Sequence, residues 1–148
     1  MPKYILVGAS SSIGKIFYKK YKKNILLATA NSSNIKNFKK LNLLNFKFST
    51  LFKNKKKPTH LILFAAESKP DICFKYPKKT NQLNFSIPKK IILKCLKENI
   101  TPVVFSSEFV SNGKIKNFSE EKKLKPTLIY GKQKYKLENF ILKNNLPV

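Results

Sequence analysis

The chain has 148 residues, which is enough for one domain with a hydrophobic core. It has no run that approaches the roughly 18 uninterrupted apolar residues that a membrane-spanning helix needs, so we expect no membrane partner. Its two cysteines, Cys73 and Cys95, are far apart, and no zinc-ligand spacing accompanies them. We therefore expect no metal and a reducing, cytoplasmic location.

The formal net charge is +24, a value typical of proteins that bind nucleic acid. However, all 31 basic residues are lysine. Arginine, which is suited to bidentate contacts with phosphate and guanine, is absent. Lys, Asn, Ile and Phe are all abundant and share codons rich in A and T. A drift of the coding DNA towards A and T therefore explains all four excesses. We predict a solvated lysine surface without specific nucleic acid binding, and a basic nucleic-acid-binding protein remains a distant alternative.

Short apolar runs alternate with longer segments of helical spacing along the whole chain. The runs predict buried strands at residues 4–7, 25–28, 46–48, 61–64 and 103–105. The spacing predicts helices at residues 13–21, 34–41, 87–96 and about 130–144, with no more than a turn or two of helix between residue 48 and Pro58. Such alternation is typical of βαβ units. It predicts an α/β fold with a doubly wound parallel sheet, a Rossmann-type domain.

The segment from Gly8 to Gly14 directly follows the first predicted strand and opens the first helix. In this context the first glycine permits a tight turn, the last lets the helix pack close to the strand, and the helix-start amides face a pyrophosphate. A small-residue turn without a ligand is the alternative. The predicted cofactor-binding residues of this turn are Gly8, Ser10, Ser11, Ser12, Ile13 and Gly14.

The end of the second predicted strand bears on the choice of dinucleotide. Proteins that use NAD often place an acidic residue there, on the ribose hydroxyls. Here the sequence continues with Asn31, Ser32 and Ser33, and Lys36 follows. With no carboxylate to repel a 2′-phosphate, the sequence favours NADP over NAD, and Asn31 and Ser32 are predicted to contact the cofactor.

Several later motifs occur in a characteristic order. Ala65 and Ala66 follow the fourth predicted strand, and Cys73, Pro77 and Asn84 come next. The last part of the chain contains Ser106-Ser107-Glu108-Phe109-Val110-Ser111-Asn112-Gly113 and then Tyr130-Gly131-Lys132-Gln133-Lys134 with Glu138. Together these motifs resemble the N-terminal part of the extended short-chain dehydrogenase/reductases (the NAD-dependent epimerase/dehydratase family). Within that family they are most similar to dTDP-4-dehydrorhamnose reductase.

The resemblance implies a function and a set of site residues. Ser107, Tyr130 and Lys134 fall at the family's catalytic positions, and Tyr130 and Lys134 also contact the cofactor, as do Ala65 and Ala66. The implied function is an NAD(P)-dependent reductase or epimerase of a nucleotide-sugar. The sequence departs from the family at the middle glycine of the turn, where Ser11 or Ser12 stands. It also departs after the catalytic serine, at Ser111 and Asn112.

Physical chemistry agrees with these roles. Tyr130 and Lys134 are four residues apart and so share a helix face. An ammonium beside a phenol lowers the phenol pKa from about 10, which makes tyrosine a usable general acid or base. Ser107 can hydrogen-bond the reacting oxygen while a nicotinamide carries the hydride. Tyr18 and Lys22 have the same spacing, but they lack this context, so we assign Tyr18 to helix packing.

The extended reductases continue for about as many residues again, through a sixth strand and a substrate domain. Residues 1–148 are therefore predicted to be the NAD(P)-binding Rossmann domain of such an enzyme, truncated before the sixth strand. On this hypothesis the chain alone is marginally stable or self-associating, with a homodimer among its expected states. The alternative is a truncated, non-catalytic nucleotide-binding module.

Overall fold

Five parallel strands form one sheet in the order β3-β2-β1-β4-β5. They are β1 (Tyr4–Val7), β2 (Ile25–Ala30), β3 (Lys39–Lys40), β4 (His60–Leu63) and β5 (Thr101–Val104). The computed structural model describes residues 1–31, 35–52, 57–112 and 124–148. This strand order, with parallel pairing throughout, is that of the doubly wound Rossmann-type sheet, so the predicted fold class is confirmed.

The helices follow the strands in the expected alternation. They are α1 (Ser12–Tyr21), α2 (Ser49–Phe52), α3 (Pro70–Lys75), α4 (Pro77–Asn81), α5 (Ile87–Lys97) and α6 (Ile129–Lys143). Three 3₁₀ turns (Lys22–Asn24, Leu43–Asn45 and Glu108–Val110) and one π-helical turn (Gln82–Ser86) complete the described elements. No helix among the described residues is long and apolar enough to cross a membrane.

Most predicted elements are confirmed to within about two residues at their ends. The strands predicted at residues 4–7, 25–28, 61–64 and 103–105 correspond to β1, β2, β4 and β5. The helices predicted at residues 13–21, 87–96 and 130–144 correspond to α1, α5 and α6. The short helix allowed before Pro58 is α2.

The helix predicted at residues 34–41 is wrong where the structure describes it. Asn37 has a positive φ of 71°, which interrupts a right-handed helix. The chain then forms β3, whose Lys39 pairs with Thr29 of β2, and Leu41 N donates to Ala30 O at 2.7 Å. Pairing with the sheet edge thus overrides the helical spacing of the apolar side chains.

The strand predicted at residues 46–48 is also wrong, because the third strand lies earlier, at β3. A 3₁₀ turn occupies Leu43–Asn45, and the Asn42 side chain caps it by accepting from Leu44 N at 3.0 Å. Phe46 and Phe48 are half-buried and pack against each other with ring centroids 4.9 Å apart. Their hydrophobicity reflects this local ring contact and not a sheet position.

The chain comprises two compact units. The first contains Met1–Ala66, Lys90–Phe105 and Pro147–Val148, and therefore the whole sheet. Ile5, Leu6 and Val7 of β1 are all buried, and since successive side chains point to opposite faces, both faces of β1 are covered. On one face a core of Leu6, Ala9, Ala28 and Ile62 packs against Phe17 and Tyr18 of α1 and several neighbouring side chains.

The second unit contains Glu67–Lys89 and Ser106–Leu146. Within it α6 packs against α3, α4, the π-helical turn and the 3₁₀ turn at Glu108–Val110. The buried side of α6 carries polar as well as apolar residues, namely Tyr130, Gly131, Gln133, Lys134 and Leu137. This unit therefore holds all three residues to which the family resemblance assigns catalysis.

Candidate active site

The turn after β1 requires glycine at its first position. Gly8 has φ 81°, in the left-handed region, and a Cβ built there would lie 2.7 Å from the backbone nitrogen of Ala65. At Gly14 a Cβ would lie 2.9 Å from Ala9 Cα, so α1 packs tightly against the turn. Gly8 has the backbone conformation expected of a tight turn, whereas the close contact at Gly14 is with Ser11 and Ala9 of the turn and not with the strand.

Thr29 anchors this turn from the neighbouring strand, a role that the sequence did not reveal. Its hydroxyl donates to Leu6 O at 3.2 Å and accepts from Gly8 N at 3.4 Å. Its backbone oxygen accepts from Ala9 N at 2.8 Å. Thr29 is 1% exposed, and its position inside an apolar strand is the sequence signal that marks it.

The start of α1 offers backbone donors to an anion. Ser11 caps the helix, accepting from Gly14 N at 3.1 Å, and its own amide donates to Gly8 O at 3.1 Å. Within the described parts of the chain, the amides of Ser10, Ser12 and Ile13 have no hydrogen-bond partner. The first turn carries no acidic residue to compete for them. Unpaired amides at a helix start fit a pyrophosphate, so the residues present suit a dinucleotide.

The other predicted cofactor residues are only partly described. Ala65 is half-buried beside Gly8, whereas Ala66 and Asn31 are exposed. Lys36 is exposed as well. Ser32 and Ser33 lie outside the described residues.

Ser107 precedes the 3₁₀ turn of the second unit and caps it. Its Oγ accepts from Phe109 N at 3.3 Å, which leaves the hydroxyl proton free to be donated. In the same unit, the backbone of α6 approaches this turn so closely that a Cβ on Gly131 would overlap the Phe109 carbonyl oxygen. The glycine of Tyr130-Gly131 thus permits contact between the Ser107 turn and the helix that carries Tyr130.

Tyr130 is buried beside that turn, with its ring edge-on to Phe109 at a centroid separation of 5.9 Å. Desolvation raises the pKa of the Tyr130 phenol above its usual 10.0, and hydrogen bonding with the Ser107 side chain acts in the opposite direction. The net direction is opposite to the one expected from a neighbouring ammonium, because removal of the phenolate from water dominates. At neutral pH the phenol is protonated and can donate.

Lys134 lies one turn later on the buried side of α6 and is 7% exposed. Burial lowers the pKa of its amine from 10.5, and the charge of Glu138 partly offsets that effect. Among the described residues its ammonium has no hydrogen-bond or ion-pair partner. Oε2 of Glu138 is also buried and unpaired. Thus Ser107 and Tyr130 interact, and Lys134 presents an unshared charge on the same side of the helix.

A buried polar cluster lies in the same unit and includes Gln133 of α6, and the sequence did not indicate its contacts. Asn84 and Gln133 are buried, and Asn84 Nδ2 donates to Gln133 Oε1 at 2.8 Å. Gln133 Nε2 donates to Thr80 Oγ1 at 2.9 Å. These partners are about 50 residues apart in the sequence, beyond the reach of local patterns. The only available signal was polar residues on otherwise apolar helix faces.

Comparisons with known proteins agree with this fold. A model of the RmlD substrate binding domain matches residues 3–148. Methionine adenosyltransferase 2 subunit beta of Xenopus tropicalis is 28% identical over 143 residues, which are 95% of this chain and 43% of that protein. The chain therefore spans less than half the length of this relative.

Solved structures show the same likeness. A hypothetical dTDP-4-dehydrorhamnose reductase from Sulfolobus tokodaii superposes with a TM-score of 0.83 at 26% identity, over 93% of this chain and 51% of that one. A dTDP-4-dehydrorhamnose reductase from Clostridium acetobutylicum gives a TM-score of 0.80 at 26% identity, over 95% and 49%. With the family model matching almost every residue, the chain belongs to the RmlD substrate binding domain family.

Proposed function

We propose that this chain is the cofactor-binding and catalytic part of a nicotinamide-dependent reductase or epimerase that acts on a nucleotide-sugar. The observation that carries the proposal is the grouping of Ser107, Tyr130 and Lys134 in one compact unit, where the turn that begins at Ser107 packs against the helix that carries the buried Tyr130. The similarity to dTDP-4-dehydrorhamnose reductases supports the substrate class.

The turn after β1 would hold the cofactor pyrophosphate through the amides of Ser10, Ser12 and Ile13. When bound, the nicotinamide supplies or accepts the hydride. The β2 end has the exposed side chains of Asn31 and Lys36 and no carboxylate, so a 2′-phosphate meets no negative charge from them. This favours NADP over NAD.

In the reducing direction, the protonated Tyr130 gives its proton to the substrate carbonyl oxygen as that carbon is reduced. Ser107, whose hydroxyl proton is not used within its cap, hydrogen-bonds the same oxygen. The resulting phenolate is stabilised by the positive charge of Lys134, which the protein leaves unshared among the described residues. In the oxidising direction the same groups accept the proton.

A second function is a nucleotide-binding subunit without turnover. The likeness to the beta subunits of methionine adenosyltransferase 2 favours it, because their name describes a subunit of an assembly. On this alternative the turn still binds a dinucleotide, while Tyr130 and Lys134 serve binding only.

The test is turnover of a reduced nicotinamide cofactor with a dTDP-4-keto-sugar. Tyr130→Phe keeps the ring but deletes the proton donor, so turnover falls by roughly 10²–10⁴ while cofactor affinity is nearly unchanged. Tyr18→Phe is the matched control, because Tyr18 packs edge-on against Phe38 at 4.8 Å in the first unit. Full activity in Tyr130→Phe, or an equal loss at Tyr18, contradicts the proposal. Cofactor binding without any turnover supports the subunit alternative.

A further inference from the structure

A buried amide pair links α6 to the segment that follows β4. Asn84, in the π-helical turn, is 1% exposed. Its Oδ1 accepts from Glu67 N at 2.9 Å, and its Nδ2 donates to Glu67 O at 2.9 Å. The same Nδ2 donates to Gln133 Oε1 at 2.8 Å. The Asn84 side chain thus bonds both the amide and the carbonyl of Glu67 and is also hydrogen-bonded to α6.

Gln133 completes the link from the helix side. Its Nε2 donates to Thr80 Oγ1 at 2.9 Å and to Pro77 O at 3.3 Å, both at α4. Gln133 has therefore used both ends of its amide within the protein. A buried amide that loses a hydrogen-bond partner destabilises the folded protein, because the unpaired group has no water to bond instead. Both side chains are therefore held in one orientation.

Gln133 lies close in α6 to two of the proposed catalytic residues, Tyr130 and Lys134. It lies three residues after Tyr130 and directly before Lys134. In a helix of 3.6 residues per turn, Tyr130 points between the two, about 60° from Gln133 and about 40° from Lys134, so a rotation at Gln133 displaces both. Apolar contacts such as that of Leu137 tolerate small rotations of a helix, whereas hydrogen bonds at 2.8–2.9 Å do not.

We propose that the Asn84–Gln133 amide pair is a positioning device, which fixes the rotation of α6 and so holds Tyr130 and Lys134 in their buried places. It deepens the proposed function and rests on it for its catalytic meaning, but its geometric content can be tested without turnover. Asn84 and Gln133 act through Tyr130 and Lys134 and need not touch the substrate.

The test measures the protection of Lys134. Folded protein is briefly treated with an amine-acetylating reagent, and mass spectrometry gives the labelling of Lys134 relative to Lys132, which is exposed on the same helix. In Gln133→Leu the ratio rises several-fold, because α6 loses its rotational restraint. Thr80→Val removes one of the bonds to Gln133 and raises the ratio less, which keeps the test decisive if Gln133→Leu does not fold.

Two controls separate positioning from stability. Leu137→Ala destabilises the buried side of α6 but keeps the amide pair, so at equal distance below the melting temperature its ratio stays near the wild-type value. Gln82→Leu replaces an exposed amide of the π-helical turn and leaves the ratio unchanged. A wild-type ratio in folded Gln133→Leu and Thr80→Val, or an equal rise in Leu137→Ala, overturns the proposal.

Turnover provides the second readout. Gln133→Leu lowers kcat with little change in KM, because the bound substrate meets a displaced phenol. If labelling changes as expected while Tyr130→Phe retains full activity, the proposed function fails and the positioning geometry is supported. If Tyr130→Phe loses activity while the labelling of Lys134 is unchanged in Gln133→Leu and Thr80→Val, the positioning inference fails and the proposed function is supported.

Discussion

The turn after β1 and the buried side of α6 differ in the groups that they present: backbone amides at the turn and buried side chains on the helix. The turn presents the backbone amides of Ser10, Ser12 and Ile13, which have no hydrogen-bond partner among the described residues, and its geometry is fixed by two glycines and by Thr29. The helix presents buried side chains whose pKa values are shifted by desolvation. On the proposed function, binding at the turn depends on backbone shape, while catalysis at the helix depends on the identity and placement of individual side chains.

Apart from Tyr130→Phe, Lys134→Ala is expected to have the largest effect on turnover. Removing the ammonium deletes the charge that stabilises the phenolate and a predicted cofactor contact, so turnover falls by at least about 10² and cofactor affinity falls too. Lys132→Ala, at an exposed position of α6, leaves both unchanged. Steady-state kinetics with a parallel cofactor titration check this, and unaltered turnover in Lys134→Ala removes the lysine from the mechanism.

Gly14→Ala tests the turn. The new Cβ would lie 2.8 Å from Ser11 Oγ and 2.9 Å from Ala9 O, so the cap and the turn have to move. We expect a loss of about 1–3 kcal/mol in the free energy of unfolding and weaker cofactor binding. Lys15→Ala, exposed one residue later, is the control. Thermal melting and calorimetric titration measure both effects. A fully stable variant with unchanged affinity would show that close packing at Gly14 is unimportant.

The lowered pKa of Lys134 predicts a pH-dependent stability. Between that lowered pKa and 10.5, the unfolded chain binds more protons than the folded one, so wild-type stability gains with rising pH from this group. Lys134→Met, which lacks the buried cation, is more stable than wild type near neutral pH. The difference in stability between the two proteins narrows as pH rises towards 10.5. Melting temperatures at a series of pH values test this. A difference that is constant or widens contradicts the burial of a charged amine.

The smallest effect concerns the lysine surface. If it is solvated, the protein shows only weak, sequence-independent attraction to DNA that fades as salt rises. Binding is followed by fluorescence anisotropy on two unrelated duplexes. Tight, sequence-dependent binding that persists near 200 mM salt would instead establish a nucleic acid function.

The two regions also differ in how far the sequence predicts them. The turn is contiguous, so Gly8 and Gly14 are identified by their place between an apolar run and a helix. The α6 region combines distant segments: Ser107 and Tyr130 are found through a known motif order, whereas the Asn84–Gln133 bond spans 49 positions and has no local signature. The pKa of Tyr130 escaped prediction for the same reason, because burial is a property of the folded chain.

The failures at β3 show the same limit within the sheet. Residues 34–41 have helical spacing, yet the edge of β2 pairs with Lys39–Lys40, two lysines with no apolar character. Short edge strands are determined by their partner and not by their own hydrophobicity. The buried strands β1, β4 and β5 were found because each carries its own apolar run.

The most direct test measures cofactor affinity and saturated turnover in two variants side by side. Gly14→Ala should weaken the binding of the reduced nicotinamide dinucleotide while leaving turnover at saturating cofactor close to that of wild type. Tyr130→Phe should do the reverse, with wild-type affinity and turnover reduced by roughly 10²–10⁴. If instead both variants lose affinity and turnover in equal proportion, or Tyr130→Phe turns over normally, then the division between a backbone binding turn and a side-chain catalytic helix is wrong.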